Sequence, residues 1–342
     1  MKIALLLGLI ALTACQGPAT LAAPISAQPA NHEAVEPRST GHLWISVSTS
    51  THYPSIERFK LVNGVPQATP DLVYNGFGGL LAVAGDGTLY ASAPNYGNGV
   101  VAFPPNADQP NRTITIPEHR VCNRGSGGYS EVSSLAADAG GYLFAGIYTT
   151  GTDAPSSGSR NRGKHKSPRL CEDVAVYSPK ANGEAVPIQL IHFPKPHWLM
   201  GLAVDASDNL FVDDSTYEVD EFANALVKPN KTRVFKGGDV GYAHSIATDG
   251  AGNLYIASTD ASYKTGRIER YAPDADGSGP PTSAIVLPSG VYLLEAIAER
   301  GRVVYVDAQD KGVDLYHAHK NGNQSPFHSF AASNVISMAT GP

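Results

Sequence analysis

One residue pattern recurs six times along the chain, turn residues are abundant, and no heptad or other helical period appears. In every copy an alanine sits in a short apolar strand, at Ala82, Ala136, Ala203, Ala247, Ala298 and Ala339. An aromatic follows in the next strand, at Trp44, Tyr90, Phe144, Phe211, Tyr255 and Tyr305. A second aromatic closes the third strand, at Phe59, Phe103, Tyr177, Phe222, Tyr271 and Tyr316. Self-similarity at this spacing marks an array or ring of small structural units, and 35 Gly and 25 Pro in 342 residues supply its turns. The predicted fold is all-β: a six-bladed β-propeller of four-stranded antiparallel blades, closed by the C-terminal strand joining blade one.

The N-terminal stretch MKIALLLGLIALTACQG has a basic start, an apolar core and a small-residue stop, and its apolar run is too short to span a bilayer as a helix. Residues 1–14 are therefore expected to be a signal peptide. Leu12-Thr13-Ala14-Cys15 resembles the lipobox of bacterial lipoproteins. That resemblance implies cleavage before Cys15, lipidation of its sulfur and attachment in the bacterial cell envelope, the alternative being ordinary secretion. Gln16 in place of Asp implies sorting to the outer membrane. Residues 15–40, rich in Ala, Pro and small polar types, have no apolar period able to bury a face and are expected to form a tether.

Residues 41–342 carry the ring. Four strands of four to seven residues per copy are expected, separated by Gly, Asn, Asp and Pro turns. Copy five is the clearest: His244-Ser-Ile-Ala-Thr-Asp, Leu254-Tyr-Ile-Ala-Ser, Gly266-Arg-Ile-Glu-Arg-Tyr271 and Ser283-Ala-Ile-Val-Leu. Steps between second-strand aromatics are 46, 54, 67, 44 and 50 residues, about one blade each apart from the 67. The alanine suits an innermost strand that converges on an axis, and the aromatics suit the wedge that widens between twisted blades. Gly41-His-Leu-Trp-Ile begins with a second strand, whereas Ser337-Met-Ala-Thr-Gly341 is a first strand with no second strand after it. The two halves are expected to form one blade, which removes the open edges.

The shared phrase, an apolar residue, then Ala-x-Asp-x-x-Gly-Asn, then an apolar residue and an aromatic, is fullest at Asp205 with Asn209 and Asp249 with Asn253. It resembles NHL-type six-bladed β-propellers across about residues 41 to 342. Copy two departs from it with Ala84, and copy six is shortened at Glu299-Arg-Gly-Arg. The lactonase and gluconolactonase group shares the ring without the phrase. Its calcium site would need several Glu, Asn and Asp oxygens around the axis. The residues three positions before each alanine, Gly79, Ser133, Met200, His244, Glu295 and Ile336, offer only Glu295, which disfavours a calcium-dependent lactonase.

Strand order places the loops between second and third strands, and the loops entering each first strand, on one face, here called the top. His197, Asp213, Asp214, His244, Glu295 and Asp307 map there. His244, Glu295 and His197 are the candidate acid–base residues, and Asp213, His244, Glu295 and Asp307 the candidate ligands of a divalent metal, the one cofactor this cluster could take. The competing role is capping of strand ends. Top-face Tyr129, Trp198, Tyr242 and Tyr292 offer stacking surfaces, with packing under loops as the alternative. Cys122 and Cys171 are expected to pair in an oxidising envelope, clamping an insertion at about residues 149 to 171. Its basic run, Arg160, Arg162, Lys164, Lys166 and Arg169, is either an anion-binding patch or a solvated loop.

The formal charge is −6, one unit more negative once Lys2 leaves with the leader, which argues against a nucleic-acid partner. Gly-x-Ser-x-Gly, Walker-type, His-Glu-x-x-His and Cys-x-x-Cys motifs are absent. The sequence therefore predicts a monomeric, membrane-tethered extracytoplasmic propeller that binds an envelope protein, peptide or glycan through its top face. A metal-assisted lyase or hydrolase is the alternative.

Overall fold

The structure, a computed structural model, describes residues 40–49, 52–92, 99–116, 129–150, 170–193, 199–214, 218–236, 240–260, 264–291, 296–309 and 312–342. The expected signal peptide and the tether up to residue 39, with Cys15, lie outside these residues. All regular structure in the described part is strand.

Blade one contains β1 (Gly41–Thr49), β2 (His52–Val62), the two-residue β3 (Val65–Pro66) and β4 (Leu72–Asn75). Blade two is β5 (Leu81–Val83), β6 (Leu89–Ser92), β7 (Gly99–Phe103) and β8 (Arg112–Thr115). Blade three is β9 (Tyr129–Ala137), β10 (Leu143–Thr150), β11 (Leu170–Tyr177) and β12 (Gln189–His192). Blade four is β13 (Gly201–Val204), β14 (Leu210–Asp213), β15 (Glu218–Ala223) and β16 (Asn230–Lys236). Blade five is β17 (Val240–Thr248), β18 (Leu254–Asp260), β19 (Gly266–Tyr271) and β20 (Ser283–Val286). Blade six is β21 (Ile297–Arg300), β22 (Val303–Asp307), β23 (Val313–His317) and, after the short β24 (Gly322–Asn323), β25 (His328–Phe330).

The last strand, β26 (Val335–Gly341), pairs antiparallel with β1 and becomes the innermost strand of blade one. Innermost strands touch in a closed circuit, β26 to β5, β9, β13, β17, β21 and back to β26. The ring closes as the sequence predicts. Its seam is tight: Arg300 Nε donates to the Thr40 carbonyl at 2.9 Å, and Thr340 Oγ1 to the Glu299 carbonyl at 2.7 Å. Gly41, at φ +140°, is required there, since a Cβ would strike both the Arg300 guanidinium and the Gly341 carbonyl.

Register explains the repeat. Every repeated alanine lies directly across from its second-strand aromatic: Ala339–Trp44, Ala82–Tyr90, Ala136–Phe144, Ala203–Phe211, Ala247–Tyr255 and Ala298–Tyr305. Paired residues share a face of the sheet, so both project toward the next blade. The third-strand aromatic pairs with the residue just before the second-strand one, as in Leu254–Tyr271 and Val304–Tyr316, and so projects toward the previous blade. Each interface between blades consequently joins an Ala and an aromatic from one side to an aromatic from the other. Ala82 and Tyr90 meet Tyr177; Ala247 and Tyr255 meet Tyr316. Tyr90 and Tyr305 also donate their hydroxyls to carbonyls of the following blade, at Gly141 and Gly64.

The rim is fastened in a second way. Between blades two and three, Asn182 Oδ1 accepts the Thr113 N–H, and Gly183 bridges in parallel to Ile114. Asn321 Oδ1 likewise accepts the Ala284 N–H, and β24 pairs in parallel with β20. An Asn-Gly turn thus covers the outer edge of the preceding blade, which shields it from intermolecular pairing.

Strand lengths depart from the expected four to seven residues. β1, β9 and β17 have nine and β2 has eleven, whereas β5 has three. The long strands belong to blades one, three and five, whose inner pairs also carry a bulge. Ile336, Ser133 and His244, each three residues before its alanine, are skipped by the pairing, and the ladder resumes above them. Blades two, four and six lack this bulge in their inner pairs. Among the described residues the ring is six-fold in its core, with bulges in alternate blades toward the top.

Candidate functional site: the two ends of the central channel

The residues immediately before the repeated alanines are Leu81, Leu135, Leu202, Ile246, Ile297 and Met338. All six are nearly buried, and they line both cavities of the channel. They form an apolar collar across the axis, with a cavity of about 320 Å³ below it and one of about 70 Å³ above.

The lower cavity is walled by the first turn of each blade, where the carboxylates of the repeated phrase act as turn caps. Asp205 Oδ1 accepts the N–H groups of Ser207 and Asn209, and its Oδ2 accepts the Asn209 side-chain amide. Asp249 repeats this with Ala251 and Asn253, and adds the Tyr255 hydroxyl at 3.0 Å. Asp138 accepts the Tyr142 N–H, and burial raises its carboxyl above the usual range. In the shortened sixth copy Gly301 and Arg302 both have positive φ, as a two-residue hairpin turn requires. There Glu299 takes over the cap by accepting the Arg302 N–H at 2.8 Å. Burial pushes its carboxyl up to about 7; the Arg302 bond opposes that shift, and the neighbouring Asp249 adds to it.

The upper cavity has a different chemistry. Its described walls are apolar or hydroxylic: Leu80, Met200, Ile336 and the collar, with Ser134, Ser245 and Ser337 between them. Met200 is 43 % exposed. The three serines stand two positions before the alanine in the bulged blades only. Ser245 Oγ accepts the Ile297 N–H of blade six, and Ser337 Oγ the Leu81 N–H of blade two. Ser134 Oγ, on a residue 3 % exposed, has no partner among the described residues, and neither has Ser133 Oγ on the bulge beside it. Gly146 makes room for both, since a Cβ there would collide with these hydroxyls.

Of the predicted site residues, Asp213 and Asp307 end the second strands of blades four and six and are buried. The Asp213 carbonyl accepts the Met200 N–H, and Asp307 Oδ1 accepts the Gln309 N–H at 2.9 Å. Asp307 caps a strand end, as one of the two expected roles requires. His244 falls on the blade-five bulge and Tyr129, Tyr242 and Cys171 fall in strands, but their side chains lie outside the described residues. So do His197, Trp198, Tyr292, Glu295, Cys122 and the basic run Arg160, Arg162, Lys164 and Lys166. Among the described residues no group of three or more His, Cys, Asp or Glu is placed to hold a metal ion. Most other described acidic pairs lie near the rim, as in Asp173–His192 at 2.9 Å, Asp220–Lys231 at 2.6 Å and Glu221–Arg233.

The collar and the serines escape a search for polar motifs. Aligning the six copies on their alanines exposes both, as an apolar residue one place earlier in all six and a serine two places earlier in alternate ones.

No family model matches the chain, and no curated protein matches its sequence. Among solved structures it is similar to a protein of unknown function from Bacteroides caccae, with 11% identity over 88% of this chain and 99% of that one and a TM-score of 0.53. A protein from Lactobacillus plantarum gives 12% identity over 88% and 99%, at a TM-score of 0.47. The Neurospora crassa Pan2 WD40 domain gives 9% over 74% and 66%, also at 0.47. The first likeness supports the fold alone, and the other two add nothing to it.

Proposed function

We propose that the chain is a lipid-anchored, extracytoplasmic propeller of the NHL-like kind that binds a peptide segment of an envelope partner at the top of its channel. The lipobox-like Leu12–Cys15 and the Ala/Pro-rich segment after it support the anchoring and the tether. One observation carries the binding role: the described walls of the upper cavity hold no charged side chain, only a buried apolar floor, the exposed Met200 and three serine hydroxyls, of which that of Ser134 has no partner among the described residues. Such a mouth suits an apolar side chain with its backbone hydrogen-bonded at the edge. Asp213 and Asp307, the described metal-ligand candidates behind the metal-assisted alternative, are buried strand-end groups, and Asp307 already serves a turn.

The reading is tested with a photo-crosslinking side chain introduced at Met200 in the intact envelope. It should join the protein to one discrete partner. The same probe at Val227, 83 % exposed in the outer turn of blade four, should not. Equal yields at the two sites, or none at Met200, would remove the reading.

A further inference from the structure

Blade six carries two histidines one residue apart, where β23 ends on His317 and the chain turns through Ala318, His319 and Lys320. Two backbone bonds fix that turn. The Lys320 N–H bonds the His317 carbonyl at 3.1 Å, and the Ala318 N–H bonds the carbonyl of Arg302, in the β21–β22 turn, at 2.8 Å. Ala318 is 3 % exposed and packs in the core between blades five and six, while the imidazoles on either side of it are both exposed.

The first ring is also held from one side. Phe327, just before β25, stacks on His317 with centroids 4.3 Å apart and planes within 17°, and its own N–H is bonded to the Leu315 carbonyl. The stack covers a face of the imidazole, whereas metal ligation uses the lone pair at the ring edge, so the two contacts are compatible.

The His317 and His319 ring centroids are 5.7 Å apart, with planes inclined at 43°. A metal–nitrogen bond of about 2.1 Å sets the ion about 3.2 Å from each ring centre. Two imidazoles on one ion then have centres about 4.5 Å apart at a right angle, about 5.2 Å at the tetrahedral angle and about 6.4 Å in line. The observed spacing lies inside that window, nearest the tetrahedral value, and a small rotation of either exposed ring closes the difference. Neutral imidazole suits zinc and its transition-metal neighbours, not calcium or magnesium. We propose that His317 and His319 bind a zinc ion as a two-ligand surface site completed by water, with Phe327 as the residue that positions His317. The site lies on the outer part of blade six and does not depend on the channel.

The test treats the intact protein with diethyl pyrocarbonate at about pH 8, where imidazole is neutral, across a series of zinc chloride concentrations. Mass spectrometry then reads carbethoxylation at each histidine. Zinc should protect His317 and His319 together. In His317→Ala the zinc needed to half-protect His319 should rise about ten-fold or more, because the second imidazole no longer binds intramolecularly, and His319→Ala should do the same to His317. Phe327→Ala should raise it less, and Phe327→Tyr should restore it. His192, 68 % exposed and bonded to Asp173, is the single-imidazole reference and should need about ten-fold more zinc than the pair. Absence of protection, protection of His319 that survives His317→Ala, or protection of His192 at the same zinc concentration would overturn the assignment.

Discussion

The two ends of the channel are built from the same six strands and answer to different rules. At the lower end the capping carboxylates of four blades, Asp138, Asp205, Asp249 and Glu299, are bonded to the N–H groups of their own turns. At the upper end alternate blades carry a bulge, the described walls are uncharged, and two hydroxylic residues of blade three keep polar atoms without partners among the described residues. One end has its hydrogen bonds closed internally and the other leaves some open. Buried polar groups are usually satisfied, so the open end is where a ligand or water gains most.

The largest test removes both ends together. Deleting residues 333–342 takes away β26, and with it Val335, Met338 and Ala339 from two inter-blade clusters and one sixth of the collar. It also leaves the inner edge of β1 unpaired. The expected result is aggregation, or loss of cooperative unfolding in urea, followed by size-exclusion chromatography and circular dichroism. Full retention of stability would mean that the ring does not depend on this closure.

The second test sharpens the lower end. Burial holds the Glu299 carboxyl at about 7, so the folded protein keeps a proton that the unfolded chain releases in the ordinary glutamate range, near about pH 4.3. Between those values the unfolded state binds fewer protons, so stability falls as pH rises and levels off above about 7. Glu299→Gln keeps an oxygen to accept the Arg302 N–H and removes the titration. It should exceed the wild type by about 2 kcal/mol at pH 8, with the gap closing toward pH 5, measured by urea unfolding at each pH. A gap that does not change with pH would place the ionisation elsewhere.

How much of this was legible in the sequence follows the same division. The alanine and aromatic positions are set by cross-strand pairing, which has a fixed period, so Ala82 with Tyr90 and Ala298 with Tyr305 announce themselves in every copy. The lower caps are equally regular, because Asp205 and Asp249 act within five residues of chain. The closing strand could be placed because each end of the chain lacks what the other has. The top is harder. A bulge at Ser133 or Ile336 is a matter of register between strands, and neither residue type declares it. Ser245 bonds a blade 52 residues further on, a relation no local pattern carries. The Asn321-Gly322 turn likewise looks ordinary until β24 is paired with β20 of the preceding blade.

The smallest effect separates the two kinds of serine at the upper end. Ser245→Ala strips the Ile297 N–H of its acceptor between innermost strands and should cost about 1 kcal/mol. Ser337→Ala should cost the same through Leu81. Ser134→Ala removes a nearly buried hydroxyl that bonds nothing among the described residues, so it should be neutral or slightly stabilising. Urea midpoints at constant slope measure all three. In complex with a partner bound at the channel mouth the order should invert, because Ser134 then has an acceptor or donor to lose while Ser245 and Ser337 remain committed to the ring. Equal costs for all three in the free protein would make the alternation a packing device and leave the upper cavity without an open hydrogen-bonding group.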